Sequence, residues 1–191
     1  MGTSQARRGD TRHRIQDVAL ELFAEQGYEK TSLREIAEHL EVTKAALYYH
    51  FKTKEDILTS IVEDIGRPVD ELITWAEAQP RTLENKQEML RRYSAALWGA
   101  SALFRFIQEN QATVRKLSIG EQFKSKMLAL NGLLKEPEFS MASQVRCITA
   151  LFAMHAGMFA VQNIEGDPEE KREAILEVAL DLIAQAHRNL D

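Results

Sequence analysis

A lysine and two tyrosines lie close together on a segment that could bind nucleic acid. Leu47 and Phe51 are four residues apart, so in a helix they share the inward face and leave Lys44, Tyr48 and part of Tyr49 facing outward. Exposed rings with hydroxyl groups beside a cation are poorly explained by solubility, but they suit the polar edges of bases in a DNA groove. The segment therefore predicts a surface that reads DNA.

Positive charge is concentrated around this segment, although the whole chain is acidic. The 191 residues carry a formal net charge of −5, yet residues 42–54 contain three lysines and no acid. We expect Lys54 and the backbone amides at the start of the following helix to meet a phosphate, since a helix N-terminus attracts anions. The four arginines within residues 7–14 could be a DNA-contacting arm or a solvated leader.

Short helices with clear start signals must position these side chains. Ser32 and Glu35 form a Ser-x-x-Glu capping box before a helix of barely two turns. Thr43 can cap a third helix over residues 44–50. Two short helices joined by a three-residue turn predict a helix-turn-helix, whose second helix enters the major groove.

Longer helices are predicted on both sides of this motif. The apolar stripe of residues 15–23 predicts a first helix that Gly27 ends in a left-handed conformation. A capping pair at residues 53–56 begins a fourth helix, which Gly66 and Pro68 should stop or kink.

The remainder of the chain also favours helices, which makes the fold class all-α with about nine or ten helices. Apolar spacing predicts successive helices over residues 82–98, about 102–112 and 121–134. Residues 140–163 are apolar almost all round, so this helix should be buried on several sides. Asp167 and Pro168 announce the last helix.

Three stretches resemble the DNA-binding module of tetracycline-repressor (TetR) family regulators. They are FAEQGY at 23–28, TSLREIA at 31–37 and VTKAALYYHFKTKE at 42–55, and the resemblance covers about residues 10–60. It implies a homodimeric helical repressor with an N-terminal helix-turn-helix domain of three helices. We assign residues 1–53 to the N-terminal arm and that domain, and residues 54–191 to a helical ligand-binding and dimerisation domain.

The resemblance also implies specific DNA contacts. The residues expected near the bases are Lys44, Ala45 and Tyr48. Those expected at the phosphate backbone are Tyr49, His50 and Lys54. We add the two helix caps Ser32 and Thr43 to the DNA-binding surface.

Two positions depart from the family's usual pattern. Glu41 stands in the turn where glycine is usual, so we expect a left-handed backbone that costs about 1–2 kcal/mol relative to glycine. Ala45 replaces a common glycine after the recognition lysine, which would loosen the closest backbone approach to DNA.

Candidate ligand-binding residues are scattered through the C-terminal part. They are Trp98, Phe104, Phe123, Met127, Met154, His155 and Met158. They could line a pocket or could be ordinary core residues, because apolar side chains at helical spacing first of all form core. The mostly apolar set favours a hydrophobic or aromatic inducer.

The last helix carries a wide apolar stripe that predicts a dimer interface. Its residues are Ile175, Val178, Ala179, Leu182 and Ile183. Exposed on a monomer, such a stripe would promote association. A dimer would present two recognition helices to a near-palindromic operator, with half-sites about 34–36 Å apart or a multiple of that.

Catalytic and membrane functions find little support. The chain lacks a glycine-rich phosphate loop and a His-Glu-x-x-His motif, and it has a single cysteine, Cys147. We therefore expect no enzyme activity, cofactor or metal. No apolar run approaches the ~20 residues of a membrane span and the N-terminus does not read as a secretory signal, so we expect a cytoplasmic location.

The sequence as a whole predicts a one-component transcriptional regulator, a repressor released from DNA by a small molecule. The alternative is a helical small-molecule-binding protein or scaffold without a DNA role. Such a protein would need neither the Lys44 and Tyr48 surface nor the arginine-rich arm. DNA binding measured at two salt concentrations would separate the two functions.

Overall fold

The computed structural model describes residues 3–100, 103, 106 and 119–188, and every regular element in them is an α-helix. In chain order the helices are α1 (Thr3–Gln26), α2 (Leu33–His39), α3 (Lys44–His50), α4 (Lys54–Glu77), α5 (Leu83–Gly99), α6 (Ile119–Leu134), α7 (Met141–Ala160) and α8 (Pro168–His187). The all-α prediction is confirmed, with eight helices in this part of the chain. The helix expected over about 102–112 lies outside it, except that residues 103 and 106 are helical. None of the described helices is long and apolar enough to cross a membrane.

The chain forms two compact units. The first unit comprises Met1–Gly66 and Ala102–Gln122, and the second unit comprises Arg67–Ser101 and Phe123–Asp191. The expected boundary after residue 53 falls at the beginning of α4, whereas the two units divide the chain inside that helix.

Helix α4 is longer than the sequence predicts, because it continues through Gly66 and Pro68 to Glu77. Of the two expected outcomes at these residues, a stop or a kink, the stop is wrong. A proline inside a helix costs about 3 kcal/mol. Apolar side chains buried on both sides of it, Ile61 in the first unit and Leu72 in the second, offset that cost at about 1.5–3 kcal/mol each.

The core of the first unit holds four helices together, α1 to α4. Phe23, Ile36, Leu47 and Ile57, from four successive helices, are fully buried in it. The ring of Phe106 completes the cluster, with its centroid 5.8 Å from that of Phe23. Helix α3 is thus anchored on the rest of the unit.

The second unit is built on contacts of α8 with α7 and α5. The expectation that residues 140–163 are buried on several sides is wrong for one face of α7. Met141, Val145, Ile148 and Phe152 lie on that face at helical spacing, and all four are exposed. Periodicity showed that the face is apolar but not what covers it.

Candidate functional site

Helix α3 presents the side chains that its spacing predicts. Leu47 and Phe51 are 0% and 2% exposed in the core of the first unit. Lys44 is exposed, Tyr48 is half-buried and Tyr49 is 65% exposed. The outward side of α3 is therefore a cationic and aromatic surface on a rigid support.

Short-range contacts order this surface. The Lys44 ammonium lies 5.5 Å from the centroid of the Tyr48 ring, a cation–π contact worth about 0.5–1 kcal/mol at an exposed site. The Tyr49 and His50 rings meet edge to face at 5.3 Å. Lys52 donates from Nζ to the Tyr48 carbonyl oxygen at 2.7 Å and so closes the C-terminal turn of α3.

The two predicted helix caps are present and differ in what they leave free. The Ser32 hydroxyl accepts from the Glu35 amide at 3.3 Å and donates to Glu35 Oε2 at 2.7 Å. The Ser32 hydroxyl and backbone amide both donate to the Glu35 carboxylate and hold the pKa of Glu35 below its usual range. The Thr43 hydroxyl oxygen accepts from the Ala46 amide at 3.2 Å. A hydroxyl also has a hydrogen to donate, and in Thr43 that hydrogen has no acceptor among the described residues.

The turn between α2 and α3 has the left-handed residue that the sequence predicts. Glu41 has φ +54°. Its amide donates to the Glu38 carbonyl oxygen at 3.1 Å, and the Val42 amide donates to that of Ala37 at 3.0 Å. This pair of hydrogen bonds is the Schellman pattern, which places glycine by preference where Glu41 stands.

Lys54, expected at a phosphate, donates to its own unit in this structure, and its contact with DNA stays a prediction. Its Nζ donates to the carbonyl oxygens of Tyr28, Glu29 and Thr31 at 2.6, 3.2 and 3.3 Å. The same ammonium lies 4.3 Å from the centroid of the Tyr28 ring. All three N–H donors are thus committed to the loop between α1 and α2, a tertiary contact that spacing along the chain does not reveal.

The start of α4, also expected to meet a phosphate, is capped by its own side chain. The Asp56 carboxylate accepts from the amides of Lys52 and Thr53 at 3.0 and 2.9 Å. The Asp56 amide donates to Thr53 Oγ1 at 3.0 Å, which completes a reciprocal cap. The Asp56 carboxylate thus lies at the amides that lead into α4, and a phosphate contact at this helix start stays a prediction.

The arginine-rich segment is described only in part. The Arg12 guanidinium carbon lies 4.5 Å from the centroid of the Phe51 ring, beside the end of α3. Arg14 is exposed. The side chains of Arg7 and Arg8 lie outside the described residues.

Three predicted ligand residues meet around a tyrosine that was not predicted from the sequence. Tyr93 Oη lies 2.6 Å from His155 Nε2 and 3.6 Å from the sulfur of Met127, and the Phe123 ring lies 5.2 Å from that of His155. His155 Nδ1 donates to the Leu151 carbonyl oxygen at 2.7 Å, so Nε2 accepts the Tyr93 hydroxyl hydrogen. Burial lowers the pKa of His155 and raises that of Tyr93. Tyr93 was missed because it falls on the apolar stripe of its helix and resembles ordinary core.

The other predicted ligand residues line a separate small cavity. It is lined by Ser94, Leu97, Trp98, Met154, Met158, Arg172 and Ile175, and its volume is ≈ 10 Å³. We name it the α5–α7–α8 cavity, since α5, α7 and α8 supply its walls. Phe104 lies outside the described residues. Ser94 and Arg172 were missed because they occur on helix faces without a motif.

The predicted dimer stripe on α8 is partly buried inside the chain and partly exposed. Ala179 and Ile183 are 0% exposed in the core of the second unit, so they cannot contact a partner, and their assignment to an interface is wrong. Val178 is 53% exposed, and Ile175 and Leu182 are half-buried. The stripe was interpreted as intermolecular, but two of its five residues are fully buried within the chain and two more are half-buried.

Comparisons with known proteins agree with this geometry. The family model described as bacterial regulatory proteins, tetR family, matches residues 15–61, which include α2 and α3. The HTH-type transcriptional regulator AcrR of Shigella flexneri is 52% identical over 54 residues, 28% of this chain and 25% of the relative. The biofilm operon icaADBC HTH-type negative transcriptional regulator IcaR of Staphylococcus epidermidis is 43% identical over 51 residues, 27% of this chain and 28% of the relative. The chain thus spans about a quarter of the length of these two relatives.

The likeness to solved structures extends over almost the whole chain. A transcriptional regulator from Aquifex aeolicus VF5 has a TM-score of 0.71 at 22% identity, covering 91% of this chain and 99% of that one. At this identity the likeness shows a shared fold. The tetR family model thus matches the helix-turn-helix within residues 15–61, and the fold is shared with this regulator over 91% of the chain.

Proposed function

We propose that this chain is a cytoplasmic transcriptional repressor that binds a palindromic operator as a homodimer and leaves it when a small hydrophobic or aromatic ligand binds the second unit. The observation that carries the proposal is the outward side of α3. There Lys44, Tyr48 and Tyr49 face away from a core that buries Leu47 and Phe51. A scaffold or carrier without a DNA role has no use for this surface.

The side chains on α3 have different parts in the proposed DNA contact. Lys44 can donate to the O6 and N7 acceptors of guanine, and the Tyr48 hydroxyl can donate or accept at a base edge. Exposed Ala45 is small enough to let the backbone approach the groove. Tyr49, His50 and Thr43 are the proposed phosphate contacts, which fix the position of α3 but do not read sequence.

Selection of bound sequences from random duplexes tests the proposal directly. We expect a near-palindromic motif with half-sites about 34–36 Å apart or a multiple of that. With the selected operator, Lys44→Ala or Tyr48→Ala should lower affinity by about 1–3 kcal/mol, close to 5- to 150-fold. Lys124→Ala, which removes an exposed lysine of the second unit, is the control and should bind as the unchanged protein does. Recovery of no motif, or full operator affinity in Lys44→Ala, would refute the proposal.

The exposed side of α7 supports the homodimer. Met141 and Phe152, at the two ends of this face, are 75% and 69% exposed, and Val178 of the neighbouring helix α8 is 53% exposed. A second copy can cover this face in a two-fold interface, where two α7–α8 pairs make a four-helix bundle. One recognition helix of two turns reads few base pairs, so a second copy also supplies the specificity that an operator requires.

Release by ligand requires coupling between the two units, and α4 is the proposed connection because it runs from one into the other. A 100-fold loss of operator affinity corresponds to a coupling free energy of about 3 kcal/mol. Linkage then requires the operator to weaken ligand binding by the same factor. Equal ligand affinity with and without operator would contradict this part of the proposal.

A further inference from the structure

One end of the α5–α7–α8 cavity is polar and its walls are apolar. Arg172 is the charged side chain in the described lining, and Ser94 is its hydroxyl neighbour. The Arg172 side chain is 21% exposed, so the guanidinium lies at the mouth of the cavity and not in bulk water. A cation at the end of an apolar space is complementary to a molecule with an anionic head and an apolar body.

The guanidinium is only partly occupied by its present partners. Its Nε donates to both carboxylate oxygens of Glu169 at 2.9 Å, its Nη2 donates to Oε1 of the same residue, and its Nη1 donates to Ser94 Oγ at 3.3 Å. These bonds use three of the five N–H groups that a guanidinium has. One N–H on each terminal nitrogen has no acceptor among the described residues. The fork geometry of arginine binds carboxylates through such N–H pairs.

The walls can move on one side and are closely packed on the other. At ≈ 10 Å³ the cavity holds about one water. Met154 and Met158 have flexible, unbranched side chains that can change rotamer to admit a larger apolar group. Ile175 is already close to the α7 backbone, since its Cγ1 lies 2.9 Å from the position a β-carbon would have on Gly157. The cavity can therefore grow along α7.

We propose that the α5–α7–α8 cavity binds amphipathic carboxylates, with the carboxylate on Arg172 and the apolar chain between Trp98 and the two methionines. Glu169 occupies part of the guanidinium in the free protein and competes with the ligand. When the ligand carboxylate shares or takes this position, Glu169 stays in the first turn of α8, where the helix dipole favours a negative charge. A neutral molecule of the same shape fills the space between the walls but brings no anion to the Arg172 guanidinium.

Decanoate and 1-decanol are the matched probes, because they have the same chain length and differ in charge. Binding to the full chain is measured by isothermal titration calorimetry without DNA. In a Trp75→Phe background, fluorescence also reports Trp98, the remaining tryptophan. We expect one decanoate per chain, a change in Trp98 emission, and affinity for 1-decanol at least about ten-fold weaker. Equal affinity for the two probes, or no decanoate binding, would overturn the inference.

Three variants separate a ligand role of Arg172 from a purely structural one. Arg172→Gln should lose decanoate affinity by about ten-fold or more, whereas Glu169→Gln removes the internal competitor and should strengthen it several-fold. Arg91→Gln removes a half-exposed arginine of α5 that pairs with Glu88, and it should change nothing. A structural role alone predicts no gain in Glu169→Gln, so unchanged decanoate affinity in that variant counts against the site even if Arg172→Gln fails to fold.

The inference rests on the proposed function only in taking the second unit as the ligand-binding part. Failure of decanoate to bind while the protein still selects an operator overturns the inference alone. Failure to select an operator while decanoate binds as described overturns the DNA-binding proposal alone. The two experiments therefore fail independently.

Discussion

Substitution of Lys54 by methionine tests how the helix-turn-helix is held together. Methionine keeps the length of the side chain but removes the ammonium that donates to three loop carbonyls at 2.6 to 3.3 Å. Hydrogen bonds to charged groups are worth about 1.5–3 kcal/mol, and the cation–π contact with Tyr28 adds about 0.5–1 kcal/mol. The Lys54 side chain is 25% exposed, so water replaces part of this stabilisation. We expect the free energy of unfolding to fall by about 2–3 kcal/mol.

The assay is thermal unfolding followed by circular dichroism, with operator binding measured at two salt concentrations. In a chain of this size a decrease of about 2–3 kcal/mol lowers the melting temperature by about 4–12 °C. Lys30→Met removes the same charge from an exposed position in the same loop and should stay within about 0.5 kcal/mol of the unchanged protein. The salt slope of operator binding by Lys54→Met should be unchanged.

The opposite pattern would refute this reasoning. If Lys54 instead neutralises a phosphate, Lys54→Met keeps the melting temperature, and the salt slope of log affinity becomes shallower by about 0.9 for each phosphate that is no longer neutralised. That result would mean that the ammonium leaves the loop carbonyls when DNA binds. Because the loop ends at Ser32, the cap of α2, the two outcomes distinguish a lysine that positions the motif from one that touches DNA.

Three further predictions concern stability and assembly. Glu41→Gly relieves about 1–2 kcal/mol of left-handed backbone strain, whereas the greater freedom of glycine in the unfolded chain costs about 0.5–1 kcal/mol. The variant should therefore be more stable by about 0.5–1 kcal/mol, and an unchanged or lower melting temperature would contradict this. Burial lowers the pKa of His155 and of His187. Their contribution to stability is therefore complete above the unfolded pKa of about 6.5 and is lost as pH falls through the folded pKa values. His155→Gln should make the free energy of unfolding fall less between pH 7 and pH 5.5, as measured by denaturant titration. Phe152→Ser should shift the protein toward monomer in sedimentation experiments. The control Leu128→Ser, at a similarly exposed apolar residue of α6, should not. Equal shifts in the two variants would mean that α7 is not in the proposed interface.

The helix-turn-helix could be predicted because its signals are local. The Ser32 and Thr43 caps, and the four-residue spacing of Leu47 and Phe51, each act within one or two turns of helix. The left-handed Glu41 could be predicted as well, but from the resemblance, since the family usually has glycine at that position. In such segments the chain has few conformations that satisfy its backbone hydrogen bonds, so residue types suffice to identify them.

Features that depend on contacts between distant residues could not be predicted in this way. The spacing around Lys54 gives no indication that its ammonium lies against carbonyls about 25 residues earlier. Periodicity identifies the apolar stripes of α7 and α8 but does not say which partner covers them. The structure buries Ala179 and Ile183 inside the chain and leaves Phe152 exposed, which reverses the simplest interpretation of the two helices.

The placement of the lysines also bears on how the first unit would read DNA. Of the three lysines in residues 42–54, Lys52 and Lys54 donate to carbonyls of their own unit, and Lys44 lies over the Tyr48 ring. Within residues 42–56, Lys52, Lys54 and the capped start of α4 are thus directed at the protein itself. Non-specific affinity, which depends on phosphate neutralisation, should therefore be low. Most of the binding energy then has to come from groups that discriminate bases, in two copies, so a single half-site should be bound too weakly to compete with the full operator.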